Sequence, residues 1–162
     1  MEGRTVAVVV DATADADAVL ALTEALRAER LVPLLLAPTG GPVWPDRDLP
    51  AHRTLLTARS VEFDAVVVAA VLAPAADARQ SRDAKAAAGA TPSIDPRLTL
   101  LVDEAFRHGK GVGVLGDADA AAMLGLSTDD AAVSIGDAAA VAAGVVEGLA
   151  QHRAWDRFTP SR

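Results

Sequence analysis

The residues able to do chemistry in this chain are few: histidine occurs three times, serine is scattered, and cysteine and tyrosine are absent. Acyl transfer needs a hydroxyl or thiol nucleophile beside a base, mounted on a tight strand-to-helix turn. Ser60, Ser81, Ser93, Ser127 and Ser134 offer the hydroxyl, but none sits in a GxSxG pattern or next to a histidine. His52, His108 and His152 fall on separate elements, with no HxH or HxxxH spacing, so metal ligation has no sequence support. His108, near a helix C-terminus, is better read as a partner of the helix dipole. The glycines of Gly111–Gly116, GVGVLG, precede and lie within a strand, whereas a dinucleotide fingerprint follows the strand and opens the helix. The first strand-to-helix turn, DATADAD, has no glycine and presents Asp11, Asp15 and Asp17, which would repel a pyrophosphate. No Walker sequence is present.

One stretch has the form of an active-site mount. Lys110–Met123, KGVGVLGDADAAAM, reads as a short buried strand, a break at Gly116 and an Ala-rich helix capped by Asp117 or Asp119. Ligands and nucleophiles of open α/β sheets sit at such elbows, at the carboxyl end of a central strand. The tip here is Leu115, which has no chemistry. The turn after the preceding strand, where a Gly-Gly pair would supply oxyanion donors, holds Ala69-Ala70 instead. The elbow, with Leu115, Gly116, Asp117, Ala69 and Ala70, is therefore read as a degenerate site with no catalytic, cofactor-binding or metal-binding residue. A relocated site would draw on Asp117, Asp119 and His108 around the elbow, with Ser93 or Thr91 as hydroxyls. Against it, the aspartates serve equally as helix caps and the hydroxyls as loop solvation.

The elements that would position these residues alternate along the chain. Thr5–Val10 (TVAVVV) is a continuous β-branched run, the mark of a strand buried on both faces. Val19, Leu22 and Leu26 recur at spacings of three and four within an amphipathic helix over Ala16–Glu29. Val32–Ala37 is a second strand, completing a βαβ unit that should be right-handed. Pro38–Pro50, with four prolines and two glycines in thirteen residues, is a loop. Arg53–Ala58 is a short extra strand or hairpin arm, and Glu62–Ala70 a third core strand. Pro74–Asp95 is a long polar loop whose composition favours mobility. Asp95-Pro96 opens a helix that runs to His108. After the elbow, Val133–Ile135 is a short strand, and Gly136-Asp137 caps a last helix from Ala138 to about Ala154. Trp155–Arg162 is a tail. This alternation predicts a parallel sheet covered on both faces.

Length and charge bound the rest. The 162 residues suffice for one domain with a real core. We assign it residues 1–157, with a flexible tail over 158–162. A net charge of −7, with the acids dispersed, argues against nucleic acid. No apolar run reaches the length of a signal peptide or of a membrane span, so a soluble, cytoplasmic chain is expected. Trp155, after the last helix, is read as packing onto the domain edge. In a larger assembly it would be an interface residue together with Arg157, since both residue types are enriched at binding hot spots. Trp44, in the Pro-rich loop, carries the same two readings.

The segment Leu100–Leu115, LLVDEAFRHGKGVGVL, and the close Ala150–Arg157, AQHRAWDR, together with RTVAVVV…LTEALRA and FDAVVV, resemble the C-terminal domain of large-subunit (clade 2) catalases. The resemblance runs from Arg4 to Arg157. It implies a flavodoxin-like three-layer α/β sandwich with a central, mostly parallel sheet, related to the PfpI and class I glutamine amidotransferase-like superfamily. Enzymes of that superfamily carry a cysteine at the elbow and an acid on the first strand-to-helix loop. Leu115 departs from the first, and Asp15 and Asp17 match the second only loosely. The resemblance implies a non-catalytic accessory domain that stabilises a catalase subunit or tetramer and acts as a molecular chaperone. Its partners would be a catalase core or tetramer and unfolded clients, and self-association is compatible with it. Haem is expected only in a separate catalase core, since the usual proximal tyrosine cannot exist here. The alternative is a stand-alone PfpI-like small-molecule-binding or hydrolytic protein with a relocated site.

Overall fold

The computed structural model describes residues 2–47, 49–69 and 94–158. Six strands form one sheet: β1 (Thr5–Val9), β2 (Val32–Ala37), β3 (Arg53–Thr54), β4 (Ala65–Val68), β5 (Gly111–Leu115) and β6 (Val133–Gly136). Their order is β3-β2-β1-β4-β5-β6, and every registered pair is parallel. With the two-residue β3 set aside, the first strand lies between the second and third, and the fourth and fifth follow. That is the order of flavodoxin-like sheets, with the switch point between β1 and β4.

The β-branched runs of the sequence become the two-sided centre of this sheet, and the period of two decides which helix each residue meets. Val6, Val8, Val10 and Val67 face one layer, packed with α1 (Ala16–Ala28) and α4 (Ala138–Ala150). Ala7, Val9, Val66, Val68, Val112 and Val114 face the other, with α2 (Pro96–Arg107) and α3 (Ala118–Met123). The expected spacing in α1 holds: Val19, Leu22 and Leu26 are buried and Asp15 is the N-cap. Burying each such leucine contributes about 2 kcal/mol.

Several boundaries differ from the sequence reading. The third core strand is shorter than Glu62–Ala70 because Ser60–Glu62 forms a 3-10 turn, and the strand starts only at Ala65. The last helix ends at Ala150, with Gln151 as C-cap, and His152 takes a left-handed φ of 72°. Trp155–Phe158, expected as part of a tail, forms a 3-10 turn instead. Residues 159–162, Ala70 and most of the expected Pro74–Asp95 loop (residues 74–93) lie outside the described residues.

The strand glycines of β5 exist for contact with α4. A Cβ on Gly113 would lie 2.7 Å from Val141 Cγ1 and 3.1 Å from Val67 Cγ2, and one on Gly144 would meet the side chain of Ser134. At the sheet's far edge, His52 extends the ladder past β3. Its amide donates to the Leu35 carbonyl, while its Nδ1 accepts from the Leu35 amide at 2.9 Å.

Candidate functional site

The carboxyl ends of β1, β4, β5 and β6 surround a cavity of about 370 Å³ at the switch point. Its walls include Asp15 and Ala18 from the start of α1, Ala69 after β4, Leu115 and Gly116 of the elbow, and Gly136 and Asp137 before α4. This is where a parallel α/β sheet would hold a ligand.

The carboxylates at its rim are engaged by their own helices. β5 and β6 end in the same device, Gly-Asp followed by a helix. Gly116 and Gly136 both take φ 143°, which a Cβ would strain. The next residue, Asp117 or Asp137, turns its carboxylate back onto its own helix, accepting from Ala120 N at 3.0 Å or Ala140 N at 2.9 Å. Asp15 does the same for α1, accepting from Asp17 N at 2.9 Å. Three helix N-termini that could have bound an anion or an oxyanion are thus occupied by the chain's own carboxylates. The paired GDA at 116–118 and 136–138 was visible in the sequence as a signal for this repeated capping.

The structure does not bring His108 to the elbow aspartates. His108 is the C-cap of α2 and lies just before β5, whereas Asp117 and Asp119 follow it. Five extended residues separate them by about 16 Å, at opposite ends of the strand. Ser93, Thr91 and Ala70 lie outside the described residues. Among the described residues, no group of three or more His, Cys, Asp or Glu could hold a metal. Among the described residues that line the cavity there is no His, Tyr, Cys or Met that could serve as an axial donor to haem.

The strongest polar constellation lies at the amino ends of the strands, and sequence spacing gave no hint of it. Arg157 donates to Asp130 through Nε at 2.7 Å and Nη2 at 2.9 Å, a bidentate pair. Its Nη1 donates to the carbonyls of Lys110 at 2.9 Å and Phe106 at 3.2 Å, and its guanidinium stacks 3.8 Å from the Phe106 ring centroid. The Arg157 hydrogen bonds hold the Asp130 carboxyl below its usual range, against the opposing effect of burial. Nearby, the buried Lys110 ammonium donates to the carbonyls of Ser60 and Phe63. Burial lowers its pKa, Arg153 adds to that, and Asp64 and Glu104 oppose it.

The three residues expected at an interface separate cleanly. Trp44 is in the core, its indole donating to the Ala14 carbonyl at 3.1 Å, which corrects the reading that would expose it. Arg157 is spent inside the chain. Trp155 does not pack away against the domain edge; it is 64% exposed, with Phe158 beside it.

The family described as the C-terminal domain found in long catalases matches residues 2–159. The chain belongs to that family. It is also 34% identical over 161 residues to catalase HPII of Pseudomonas aeruginosa, an alignment covering 97% of this chain. The match takes in 21% of the length of catalase HPII, so the chain spans about a fifth of that relative. The haem-bearing part of a long catalase is not in this chain.

Proposed function

We propose that this chain is a non-catalytic accessory domain that stabilises the subunit or tetramer of a long catalase, acting in the cytoplasm beside the catalase core. The observation that carries the reading is the elbow: Leu115 at its tip, with Asp15, Asp117 and Asp137 filling the helix ends that a reaction would need. Family membership supports it by supplying the partner. Deleting the domain from a long catalase that carries it should lower the melting temperature or the tetramer fraction while peroxide turnover per intact haem stays the same. Unchanged stability and assembly would reject the proposal.

The proposal extends to holding unfolded clients. Its support is the apolar side chains that stand in solvent, among them Leu56, Val61 and Leu100. The isolated chain should suppress the aggregation of a heated client protein, measured by light scattering. A stand-alone binding or hydrolytic role keeps one argument in its favour, the 370 Å³ cavity. A hydrolase and glyoxalase substrate panel, with melting shifts read alongside, tests it, and a turnover that Asp117→Asn abolishes would favour it over the accessory reading.

A further inference from the structure

Aromatic residues are scarce here, three phenylalanines and two tryptophans, and their placement is uneven. Trp44 and Phe63 are buried, and Phe106 lies under the Arg157 guanidinium. The other two stand together in solvent: Trp155 is 64% exposed and Phe158 52%, with ring centroids 6.2 Å apart. A chain that buries its other rings gains nothing for its own fold by exposing this pair.

The backbone that carries the pair is anchored on both sides. Ala154 N donates to the Gly109 carbonyl at 2.7 Å, and Arg157, between the two rings in sequence, is fixed by Asp130 and two backbone carbonyls. The Phe158 ring covers Gly109, where a Cβ would come within 2.9 Å of it. Much of the conformational entropy that docking would cost has therefore been lost already on folding.

Charge and position narrow the occupant. Beside the rings runs a shallow groove of about 310 Å³ whose free charges are Asp129 and Asp156, because Asp130 and Arg157 neutralise each other. Neither Asp129 nor Asp156 makes an ion pair among the described residues. The ledge lies at the amino ends of the strands, the edge at which β1 is entered. Arg4 Nη1 donates to the Leu149 carbonyl at 3.0 Å, joining the start of the chain to the end of the helix that leads into the ledge. In a long catalase, the residues that precede this domain enter through Glu2–Arg4, on the same edge.

We infer that Trp155 and Phe158 form the docking ledge for the catalase portion of a long catalase, received by an apolar patch flanked by lysine or arginine. The inference rests on the accessory reading and gives it a surface. A cation of the partner stacks on Trp155 or enters the groove between Asp129 and Asp156, and Arg157 is a positioning residue behind the ledge.

The test titrates the full 162-residue chain against catalase HPII of Pseudomonas aeruginosa from which the matched C-terminal fifth has been removed, followed by sedimentation. Trp155→Ala should weaken binding by about 30-fold or more, the loss expected of a hot-spot aromatic, while melting with the wild type. Asp129→Lys with Asp156→Lys leaves the rings intact and should weaken binding several-fold, with a reduced salt dependence. If the wild-type chain does not bind, the accessory reading fails and this inference falls with it. If it binds and Trp155→Ala and Phe158→Ala bind as tightly, the ledge assignment alone is overturned. A self-dimer of the chain that the ring variants dissolve would give the ledge to a second copy and also overturn it.

Discussion

The two ends of the sheet have been put to opposite uses. At the carboxyl ends, where the flavodoxin-like topology opens a cavity, the carboxylates of Asp15, Asp117 and Asp137 each cap their own helix, and Leu115 stands at the elbow's tip. At the amino ends, which this class of fold does not ordinarily use for ligands, lie the partly buried ion pair, the buried ammonium and the exposed rings. Local capping costs a sequence little and needs no distant partner. The amino-end cluster instead joins residues 27 to 51 positions apart, so it holds the C-terminal segment onto the sheet. The edge that looks like a site is built for closure, and the edge that looks like scaffold carries the fixed contacts.

That contrast can be broken most forcefully at Arg157. Arg157→Ala leaves Asp130 partly buried and unpaired, and should cost about 3 kcal/mol in urea unfolding. Because the Asp130 carboxyl titrates below its unfolded value, the pair's contribution is complete above about pH 4 and is lost as pH falls through the lowered folded value. The acid limb of the stability curve should therefore flatten in Arg157→Ala. A loss no larger than that of a single cap would erase the distinction between the edges.

At the carboxyl ends the expected losses are smaller and separable. Asp15→Ala and Asp137→Ala should each cost about 1 kcal/mol, the ordinary value of an N-cap, and should add when combined. Lys110 sharpens the comparison through pH. Its folded pKa lies below the unfolded value of about 10.4, so the unfolded chain binds more protons between the two values. Stability should rise with pH across that alkaline window, and Lys110→Met should remove the rise. A neutral amine keeps two N–H donors for the Ser60 and Phe63 carbonyls, so deprotonation breaks neither bond. The smallest effect is expected from Leu115→Cys. Placing a thiol at the elbow should give no measurable ester hydrolysis, because the Gly116 amide that follows it already donates to the Gly136 carbonyl and no histidine lines the cavity among the described residues. Turnover in that variant would show the capped edge to be dormant rather than closed.

Much of the frame was legible because it is written locally. The valine run of β1, the three-and-four spacing of α1 and the Asp-Pro start of α2 each declare themselves within a few residues, and the structure keeps all three. The elbow's shape was legible for the same reason, since the strand end at Leu115, the turn at Gly116 and the cap at Asp117 are adjacent in the chain. What the sequence hid was long-range. Lys110 reads as an ordinary lysine before a strand, and only folding brings it to carbonyls 47 and 50 residues away. Arg157 and Trp155 look alike as residues of an exposed tail, yet one is bound on every side and the other stands in solvent. His108 and Asp117 look like neighbours because nine positions separate them, but the strand between them is fully extended and carries them apart.

The imidazole of His52 has a consequence at the far side of the sheet. By taking the place of a backbone carbonyl opposite Leu35, it satisfies a β2 amide just before β3, which is itself only two residues long. A sheet edge that short gives an incoming strand almost nothing to hydrogen-bond, and a charged Arg53 stands on it. Edge-to-edge polymerisation is the hazard of any β protein kept at high local concentration, as several copies on one oligomer would be. With its ladder finished by a side chain, this edge offers a second copy little backbone to join.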